Sequence, residues 1–167
     1  TWLYPIIAIL IKITSKGPVL FKQARSGVGN MEFMCYKFRS MNQSVDADTK
    51  QASKGDTRIT KIGAFLRKSS LDEFPQFINV FMGDMSIVGP RPHMLLHTEE
   101  YSALINKYMV RQLVKPGITG AAQIKGYRGE TKELRDMEGR VRLDVWYIEN
   151  WSLSVDINII FYTVWNI

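Results

Sequence analysis

The stretch that most constrains this chain is Arg67-Lys-Ser-Ser-Leu-Asp-Glu-Phe-Pro-Gln76, which leads into a strongly apolar segment. Apolar residues recur there at helical spacing, namely Phe74, Phe77, Ile78 and Phe81. Because proline has no backbone N–H, Pro75 fits only the first turn of that helix, and Gly83 supplies its end. The pattern therefore predicts a helix that begins beside Asp72 and Glu73.

Asp72 and Glu73 allow two interpretations from this stretch alone. Ser70 and Glu73 have the spacing of a capping box, and acidic residues in a first turn are ordinary electrostatic caps. The alternative is catalytic, because free N–H groups at a helix start favour anions, and Arg67 and Lys68 lie close in sequence. A carboxylate that must meet a phosphate needs such neutralisation. Both interpretations stand at this point.

Composition and charge narrow the class of partner. The chain has 167 residues, which suits one domain with a real core, and its 46% apolar and 23% charged residues argue against disorder. The net charge of +6 and the pI near 9.5 favour anionic partners such as nucleic acid, acidic lipid headgroups or phosphorylated substrates. Cys35 is the one cysteine and cannot form an internal disulfide, which fits a reducing compartment.

Residues 2–13 are nearly all apolar. A helix of a dozen residues is about 18 Å long and the bilayer core roughly 30 Å thick, so this run is too short to cross alone. A signal-peptide core and a buried core helix are alternatives. We favour the second limb of a membrane hairpin, or an interfacial anchor with Lys12 and Lys16 at headgroup level. Because Thr1 stands first instead of Met, we expect a fragment of a longer protein.

Two short strands are predicted after this segment, over residues 19–23 and 32–36, joined by a turn over residues 26–30. Lys37 and Arg39 follow the second strand. On a surface strand they are solvated charges, whereas beside a phosphate site they are ligands. The polar residues 42–57 predict a mobile loop, or a loop with a short helix.

Arg91 lies between Pro90 and Pro92, which fix the local backbone. A rigid loop that presents an arginine suits bidentate phosphate recognition. The alternative is a simple turn with an exposed arginine that binds nothing. His93 and His97 are four residues apart and could share a helix face. The HExxH spacing and a third ligand are missing, which indicates surface or packing roles rather than zinc.

The second half of the chain is predicted to be mainly helical. Helices are expected over residues 59–66, 98–113 and 131–150. A polar, basic loop over residues 123–128 includes Gln123. Residues 151–167 are rich in aromatic and β-branched side chains. They are either a buried helix or strand or a segment at a membrane interface, and we favour the interface.

Taken together, these motifs resemble the bacterial sugar transferases, a family of monotopic polyprenyl-phosphate phosphoglycosyltransferases that initiate surface-polysaccharide synthesis. The resemblance covers nearly the whole chain. Its further carriers, beside the central stretch, are residues 11–23, Tyr36-Lys-Phe-Arg-Ser-Met41, Gly83-Asp-Met-Ser-Ile-Val-Gly-Pro-Arg-Pro92 and Lys115-Pro-Gly-Ile-Thr-Gly120. Ordered motifs of this kind are far more specific than any single one.

The resemblance implies a reaction and roles for particular residues. Members transfer a sugar-1-phosphate from a UDP-sugar to undecaprenyl phosphate and release UMP. Asp72 would be the nucleophile that forms a phosphoaspartyl-sugar intermediate. Glu73 would act as acid or base, and Asp72 and Glu73 would hold Mg²⁺. The same matching gives phosphate-binding or substrate-binding roles to Lys37, Arg39, Arg67, Arg91 and, more weakly, Gln123.

The expected fold class is α+β. It is a helix-rich single domain with a short β-hairpin, a re-entrant or interfacial membrane helix over residues 1–14, and a catalytic domain over residues 15–167 with interfacial amphipathic helices. The expected location is the cytoplasmic face of the bacterial inner membrane. The lipids of that membrane are expected partners, and nucleic acid is not. The oligomeric state is undetermined, and a homodimer is one of the alternatives. The chain is also expected to be the C-terminal part of a longer protein.

Two departures from the family pattern leave questions open. Tyr4-Pro5 stands where a Ser-Pro pair is expected, and residues 123–127 differ from the commoner wording, so the sugar is undetermined. Two other functions also fit the chain. One is a non-catalytic basic module that binds a membrane surface or nucleic acid. The other is a phosphohydrolase that uses Asp72 as its nucleophile and releases free phosphate.

Overall fold

A computed structural model describes residues 2–42, 55–127, 129 and 133–166. The fold is helix-rich α+β, as the sequence predicts. The helices are α1 Leu3–Thr14, α2 Lys61–Lys68, α3 Gln76–Met82, α4 Leu95–Leu104, α5 Ala121–Ile124, α6 Leu134–Glu149 and α7 Leu153–Trp165. The strands are β1 Leu20–Ser26, β2 Glu32–Phe38, β3 Ser86–Val88 and β4 Gly117–Thr119. Short 3₁₀ segments cover Val28–Asn30, Leu71–Glu73 and Tyr108–Leu113.

The predicted hairpin is confirmed and is longer than expected. Strands β1 and β2 are antiparallel, and their register pairs Leu20 with Phe38 and Ser26 with Glu32. The connection closes through a 3₁₀ turn in which Asn30 adopts a left-handed conformation with φ of 63°. Asparagine tolerates this conformation better than most residues. Lys37 therefore lies within β2, not after it.

A second, parallel pair of strands was not predicted. Strands β3 and β4 pair Ser86 with Gly117 and Val88 with Thr119. Their backbones approach so closely that a Cβ on Gly117 would lie 2.1 Å from the amide nitrogen of Gly89. Three-residue strands carry no periodic pattern that could reveal them in the sequence. The pair fixes the base of the loop that carries Arg91.

Helix α1 packs one face against the domain and leaves the other face unpacked. Ile7 and Ile11 are buried in a core cluster with Phe38 and Leu66. The unpacked side chains are exposed; they are Trp2, Ile6, Ile9, Leu10 and Ile13. In the part of the chain that is described, no helix has both the length and the apolarity needed to span a bilayer.

Helix α3 has the reverse of the usual arrangement for a globular protein. Its polar residues Gln76 and Asn79 are 2% and 0% exposed, whereas Phe81 is 94% exposed. The other large apolar side chains of this face are also at least partly exposed; they are Phe74, Phe77, Ile78 and Met82. An exposed apolar stripe of this kind marks an interaction surface.

The predicted helix over residues 98–113 is wrong. Helix α4 ends at Leu104, because Ile105 is extended (φ −114°, ψ 118°) and Lys107 is left-handed (φ 63°). The break lets Ile105 and Tyr108 both enter a buried cluster with Met137 of α6. Packing against α6 thus overrides the local helical pattern of residues 98–113.

Two further helix predictions hold with shifted boundaries. Helix α2 corresponds to the prediction over residues 59–66, and α6 to the one over 131–150, of which residues 131 and 132 lie outside the described part. The last segment is the helix α7, of which Ile159 is the buried residue. Gln123 lies in α5 and not in a loop. Arg128, and most of the loop predicted over residues 42–57, lie outside the described residues.

Candidate active site

The acidic pair lies in the 3₁₀ turn Leu71–Glu73, one turn before α3 begins at Gln76. Asp72 and Glu73 were predicted at the N-terminus of this helix, and they lie just before it. The capping-box interpretation is wrong, because Ser70 is left-handed with φ of 58° and its side chain makes no capping hydrogen bond. Pro75 occupies the N-cap of α3, as its missing N–H permits. The turn buries both carboxylates.

Glu73 is held by two cations from different parts of the fold. The guanidinium of Arg91 donates from both terminal nitrogens to the two carboxylate oxygens, with Nη1 3.1 Å from Oε2. Lys37 Nζ of β2 donates to Oε1 at 2.8 Å. Burial by itself would raise the pKa of Glu73, but Arg91 and Lys37 outweigh it and hold the pKa well below the ordinary value. Glu73 is therefore charged at neutral pH and fixes the positions of both cations.

The pKa of Asp72 is shifted in the opposite direction. Burial raises the pKa of its carboxyl group, and the negative charge of Glu73 adds to that effect, against the opposing charges of Lys37, Arg67 and Arg91. In the described structure no hydrogen bond engages the Asp72 carboxylate, so its oxygens are available. Adjacent carboxylates whose pKa values are driven apart are typical of sites in which one group reacts and the other fixes the geometry.

Asn79 ties this turn to the hairpin and was not recognised from the sequence. Its Oδ1 accepts from the backbone N–H of Tyr36 at 3.0 Å, and its Nδ2 donates to the carbonyl of Met34 at 2.8 Å. The amide thus acts as a neighbouring strand would along the edge of β2. It sets α3, and the acidic turn before it, beside Lys37. A lone asparagine inside an otherwise apolar helix pattern was the available signal.

The structure brings together Lys37, Asp72, Glu73 and Arg91, with Arg67 on the rim. Arg67 is exposed, and its Nη1 lies 3.6 Å from the sulfur of Met41. Its positive charge lowers the pKa of Asp72 without a described hydrogen bond between them. An exposed guanidinium at the rim of the site is suited to binding an incoming phosphate.

Arg39 and Gln123 are not joined to the acidic pair by any described contact. Arg39 is buried and its Nη2 donates to the carbonyl oxygen and hydroxyl of Ser15, at 2.8 and 2.9 Å, just after the end of α1. Strand β2 has already ended at Phe38, so Arg39 does not share the direction of Lys37. Gln123 donates from Nε2 to the carbonyl of Ile118 at 3.2 Å.

A buried polar cluster behind Arg91 was also missed. His93, Tyr108, Arg111 and Asp144 come from three separate segments, since Tyr108 and Arg111 share the 3₁₀ turn, and Arg111 Nε donates to Asp144 Oδ2 at 2.7 Å. A surface or packing role was predicted for His93, and the structure shows the packing role, because the ring is buried. The pairing of Arg111 with Asp144 spans 33 positions and follows no periodic pattern.

We expect Glu73→Gln to lower the free energy of unfolding by about 3 kcal/mol at pH 7, because it leaves Arg91 and Lys37 without their shared carboxylate. The pKa of Glu73 is depressed in the folded protein. Its stabilising effect is therefore present above the unfolded value, about 4.3, and is lost as the pH falls through the folded value. Urea unfolding from pH 7 to pH 3 should show the difference from wild type shrinking with acidity.

Glu99→Gln, at an exposed site in α4, is the matched control; a pH-independent difference at residue 73 would contradict the assignment.

Comparison with known proteins agrees with the motifs. The model of the family described as bacterial sugar transferase matches residues 1–167. The UDP-glucose:undecaprenyl-phosphate glucose-1-phosphate transferase of Xanthomonas campestris pv. campestris is 57% identical over 159 residues, covering 94% of this chain and 33% of the relative. The protein of the same name from Escherichia coli (strain K12) is 54% identical, covering 95% and 34%.

A relative with a different printed substrate is also similar. The UDP-N-acetylgalactosamine-undecaprenyl-phosphate N-acetylgalactosaminephosphotransferase of Aeromonas hydrophila is 44% identical over 159 residues, covering 94% of this chain and 37% of the relative. The chain thus spans about a third of the length of these curated relatives. The resemblance inferred from the motifs is confirmed: this chain belongs to the bacterial sugar transferase family.

Proposed function

We propose that this chain is the catalytic part of a phosphoglycosyltransferase, which transfers a sugar-1-phosphate from a UDP-sugar to undecaprenyl phosphate and releases UMP. One observation carries the proposal. Asp72 is unengaged beside a second carboxylate that is fully paired with Arg91 and Lys37. A reactive carboxylate next to fixed cations is the arrangement that phosphoryl transfer through a covalent intermediate needs.

The proposed reaction has two displacements at one phosphorus atom. A carboxylate oxygen of Asp72 attacks the β-phosphorus of the UDP-sugar, and the bond from that phosphorus to the oxygen bridging to the α-phosphate breaks, so UMP leaves with both bond electrons. An oxygen of undecaprenyl phosphate then attacks the same phosphorus and releases Asp72. Dividing the transfer in this way replaces one difficult step by two easier ones and gives ping-pong kinetics.

The cations have separate roles in this scheme. Lys37 and Arg91 lie at the acidic pair and reduce the repulsion between Asp72 and an anionic diphosphate, while exposed Arg67 meets the substrate from the rim. Glu73 holds Lys37 and Arg91 in position rather than acting as a mobile acid or base, because its pKa is well below neutral pH. Arg39 is proposed to support α1 rather than bind substrate.

Magnesium belongs to the same proposal. Both oxygens of Glu73 are engaged by Arg91 and Lys37, so of the two predicted ligands Asp72 is the one whose oxygens fit a hard cation. Within the described residues no group of three acidic, histidine or cysteine side chains could hold a metal by itself. Mg²⁺ is usually held by one or two carboxylates together with substrate phosphates, and it would neutralise phosphate charge there.

The lipid acceptor fits the exposed apolar surfaces. Helices α1, α3 and α7 each present large apolar side chains that nothing in the described chain covers; Phe81, Trp2 and Trp165 are the most exposed. We therefore assign these helices to the membrane interface on the cytoplasmic face of the bacterial inner membrane, where a polyprenyl substrate resides. The phenol of Tyr4 donates to the carbonyl of Phe74 at 2.9 Å, which connects α1 to the residue after Glu73.

The donor and pathway are proposed more broadly. Two relatives described above are named for UDP-glucose and one for UDP-N-acetylgalactosamine, so a UDP-hexose is the expected donor class and UDP-glucose the first to test. The product would begin the assembly of an exopolysaccharide, capsule or O-antigen.

We expect Asp72→Asn to lower UMP release by at least about 10³-fold, since it removes the nucleophile. Because burial and Glu73 disfavour the charged form of Asp72, the neutral amide should not lower the melting temperature. The assay combines UDP-glucose, undecaprenyl phosphate and Mg²⁺, and mass spectrometry without acceptor should detect a hexose-phosphate adduct on Asp72 alone.

Asp136→Asn on α6 is the charge-matched control and should keep wild-type activity. Full activity of Asp72→Asn would remove the nucleophile assignment. Release of inorganic phosphate in place of UMP would favour the phosphohydrolase, and salt-sensitive DNA binding without turnover would favour the non-catalytic module.

We expect EDTA to reduce UMP release to background and Mg²⁺ in excess to restore it, because the diphosphate then regains its neutralising cation. Initial rates measured against free Mg²⁺ provide the test. A rate that persists after chelation would exclude the metal from the reaction.

We expect the chain to float with vesicles that contain anionic lipid, and Phe81→Glu to weaken that partitioning by about 10-fold, the loss expected for one buried phenylalanine. Met31→Glu, which charges an exposed apolar residue of the hairpin turn, is the control. Equal partitioning of wild type and Phe81→Glu would remove α3 from the membrane surface.

A further inference from the structure

The segment that carries Arg91 is held through its carbonyl groups. Pro90 and Pro92 have no N–H, so this segment cannot be fixed by an ordinary strand ladder. Instead, the carbonyls of four successive residues each accept a hydrogen bond, and the donors belong to β1, β4 and the Tyr108–Leu113 turn. The pairs are Gly117 N to Pro90 O at 2.9 Å, Arg111 Nη2 to Arg91 O at 2.9 Å, Arg25 Nη1 to Pro92 O at 3.4 Å and Ser26 N to His93 O at 3.2 Å.

Arg111 is the member of this set that contacts Arg91 itself. Its guanidinium makes contacts in three directions. Nη2 donates to the Arg91 carbonyl, Nε donates to Asp144 Oδ2 at 2.7 Å, and Nη1 lies 3.0 Å from His93 Nδ1. The planar guanidinium fork can satisfy these partners together, which the single ammonium of a lysine cannot.

The partners of Arg111 are themselves immobilised. Asp144 is 1% exposed on α6 and Arg111 is 6% exposed. Burial, followed by the charges of Arg111 and Arg140, lowers the pKa of His93 well below its ordinary value, so the ring is neutral. Its Nδ1 is also 2.6 Å from the hydroxyl of Tyr108. The guanidinium is thus fixed from α6 and from the Tyr108–Leu113 turn at once.

Such an arrangement is costly if stability is its only purpose. Removing two charges from water offsets much of their attraction, and a well-packed apolar pair is often at least as stable. The described contacts of Arg111 do not include Asp72 or Glu73, so any effect on them passes through the backbone of Arg91. A forked pair such as that between Arg91 and Glu73 depends on the placement of that backbone.

We propose that Arg111, anchored by Asp144, is a positioning residue: it holds the backbone of Arg91 so that its side chain meets Glu73 and the substrate phosphate. The inference rests on the proposed phosphoryl transfer for its kinetic consequence. The placement of Arg91 can also be observed without turnover.

The test is Arg111→Lys, alone and combined with Arg91→Lys, in the full chain. Because misplacement of a phosphate-binding group lowers the rate of the chemical step, Arg111→Lys should reduce kcat about 10- to 100-fold in the wild-type background. With Arg91 already replaced by lysine, the same change should cost less than about 3-fold, because the two residues act as one unit.

Val145→Ala is the control for simple destabilisation. Val145 is buried beside Met137 and Tyr108 in the same cluster and has no described contact with the Arg91 segment. Assayed well below its melting temperature, it should change kcat by less than about 2-fold in both backgrounds. If Arg111→Lys does not fold, Asp144→Asn removes the anchor while keeping its shape and should show the same background dependence.

A second readout separates this inference from the proposed reaction. In NMR spectra of the wild type, the side-chain N–H signals of Arg91 should be protected from exchange by the pair with Glu73. Arg111→Lys should shift or broaden them, and Arg142→Lys, at an exposed site on α6, should not. If the wild type transfers no sugar phosphate, the proposed function fails while this readout still decides the inference. Unchanged Arg91 signals, or an equal loss of kcat in both backgrounds, would overturn it.

Discussion

The buried carboxylate of Glu73 is the interaction on which the candidate site depends. It joins three segments that are distant in sequence: strand β2 through Lys37, the acidic turn through Glu73 itself, and the loop after β3 through Arg91. A buried carboxylate is tolerated only when it is paired and hydrogen-bonded, so its burial requires both cations to be in place. The same pairing leaves Asp72 as the carboxylate with free oxygens. The stability of the site and the availability of the Asp72 oxygens therefore have one physical cause.

Polar side chains position this site because the sheets are too small to do so. The antiparallel hairpin and the two three-residue strands provide little surface for packing. The amide of Asn79 replaces a neighbouring strand at the edge of β2, and Arg111 connects the Arg91 loop to α6. Each is buried with its polar atoms directed to specific partners. Buried hydrogen bonds of this kind specify geometry more sharply than apolar contacts do.

Helix α3 combines two environments that a water-soluble enzyme would keep apart. One side holds the buried amides of Gln76 and Asn79 against the domain, and the other exposes Phe77 and Phe81. The turn that carries Asp72 immediately precedes this helix. A polar substrate that enters from the domain side and an apolar chain that lies along the exposed side would therefore meet close to Asp72. This geometry agrees with the proposed transfer of a sugar-1-phosphate from a nucleotide sugar to a lipid phosphate.

Sequence signals were enough to predict the family, the fold class, the hairpin and helices α2 and α6. They also singled out Lys37, Asp72, Glu73 and Arg91, which the structure brings together. These follow from local signals: apolar periodicity, proline and glycine positions, and ordered motifs. Three features could be seen only once the chain was folded: Glu73 is paired while Asp72 is not, Arg39 bonds to Ser15 after α1, and Arg111 reaches Asp144. Such outcomes depend on burial and on contacts between distant segments, and neither is encoded in the spacing of residues along the chain. The break at Ile105 has the same origin, because packing against α6 outweighed a local helical preference.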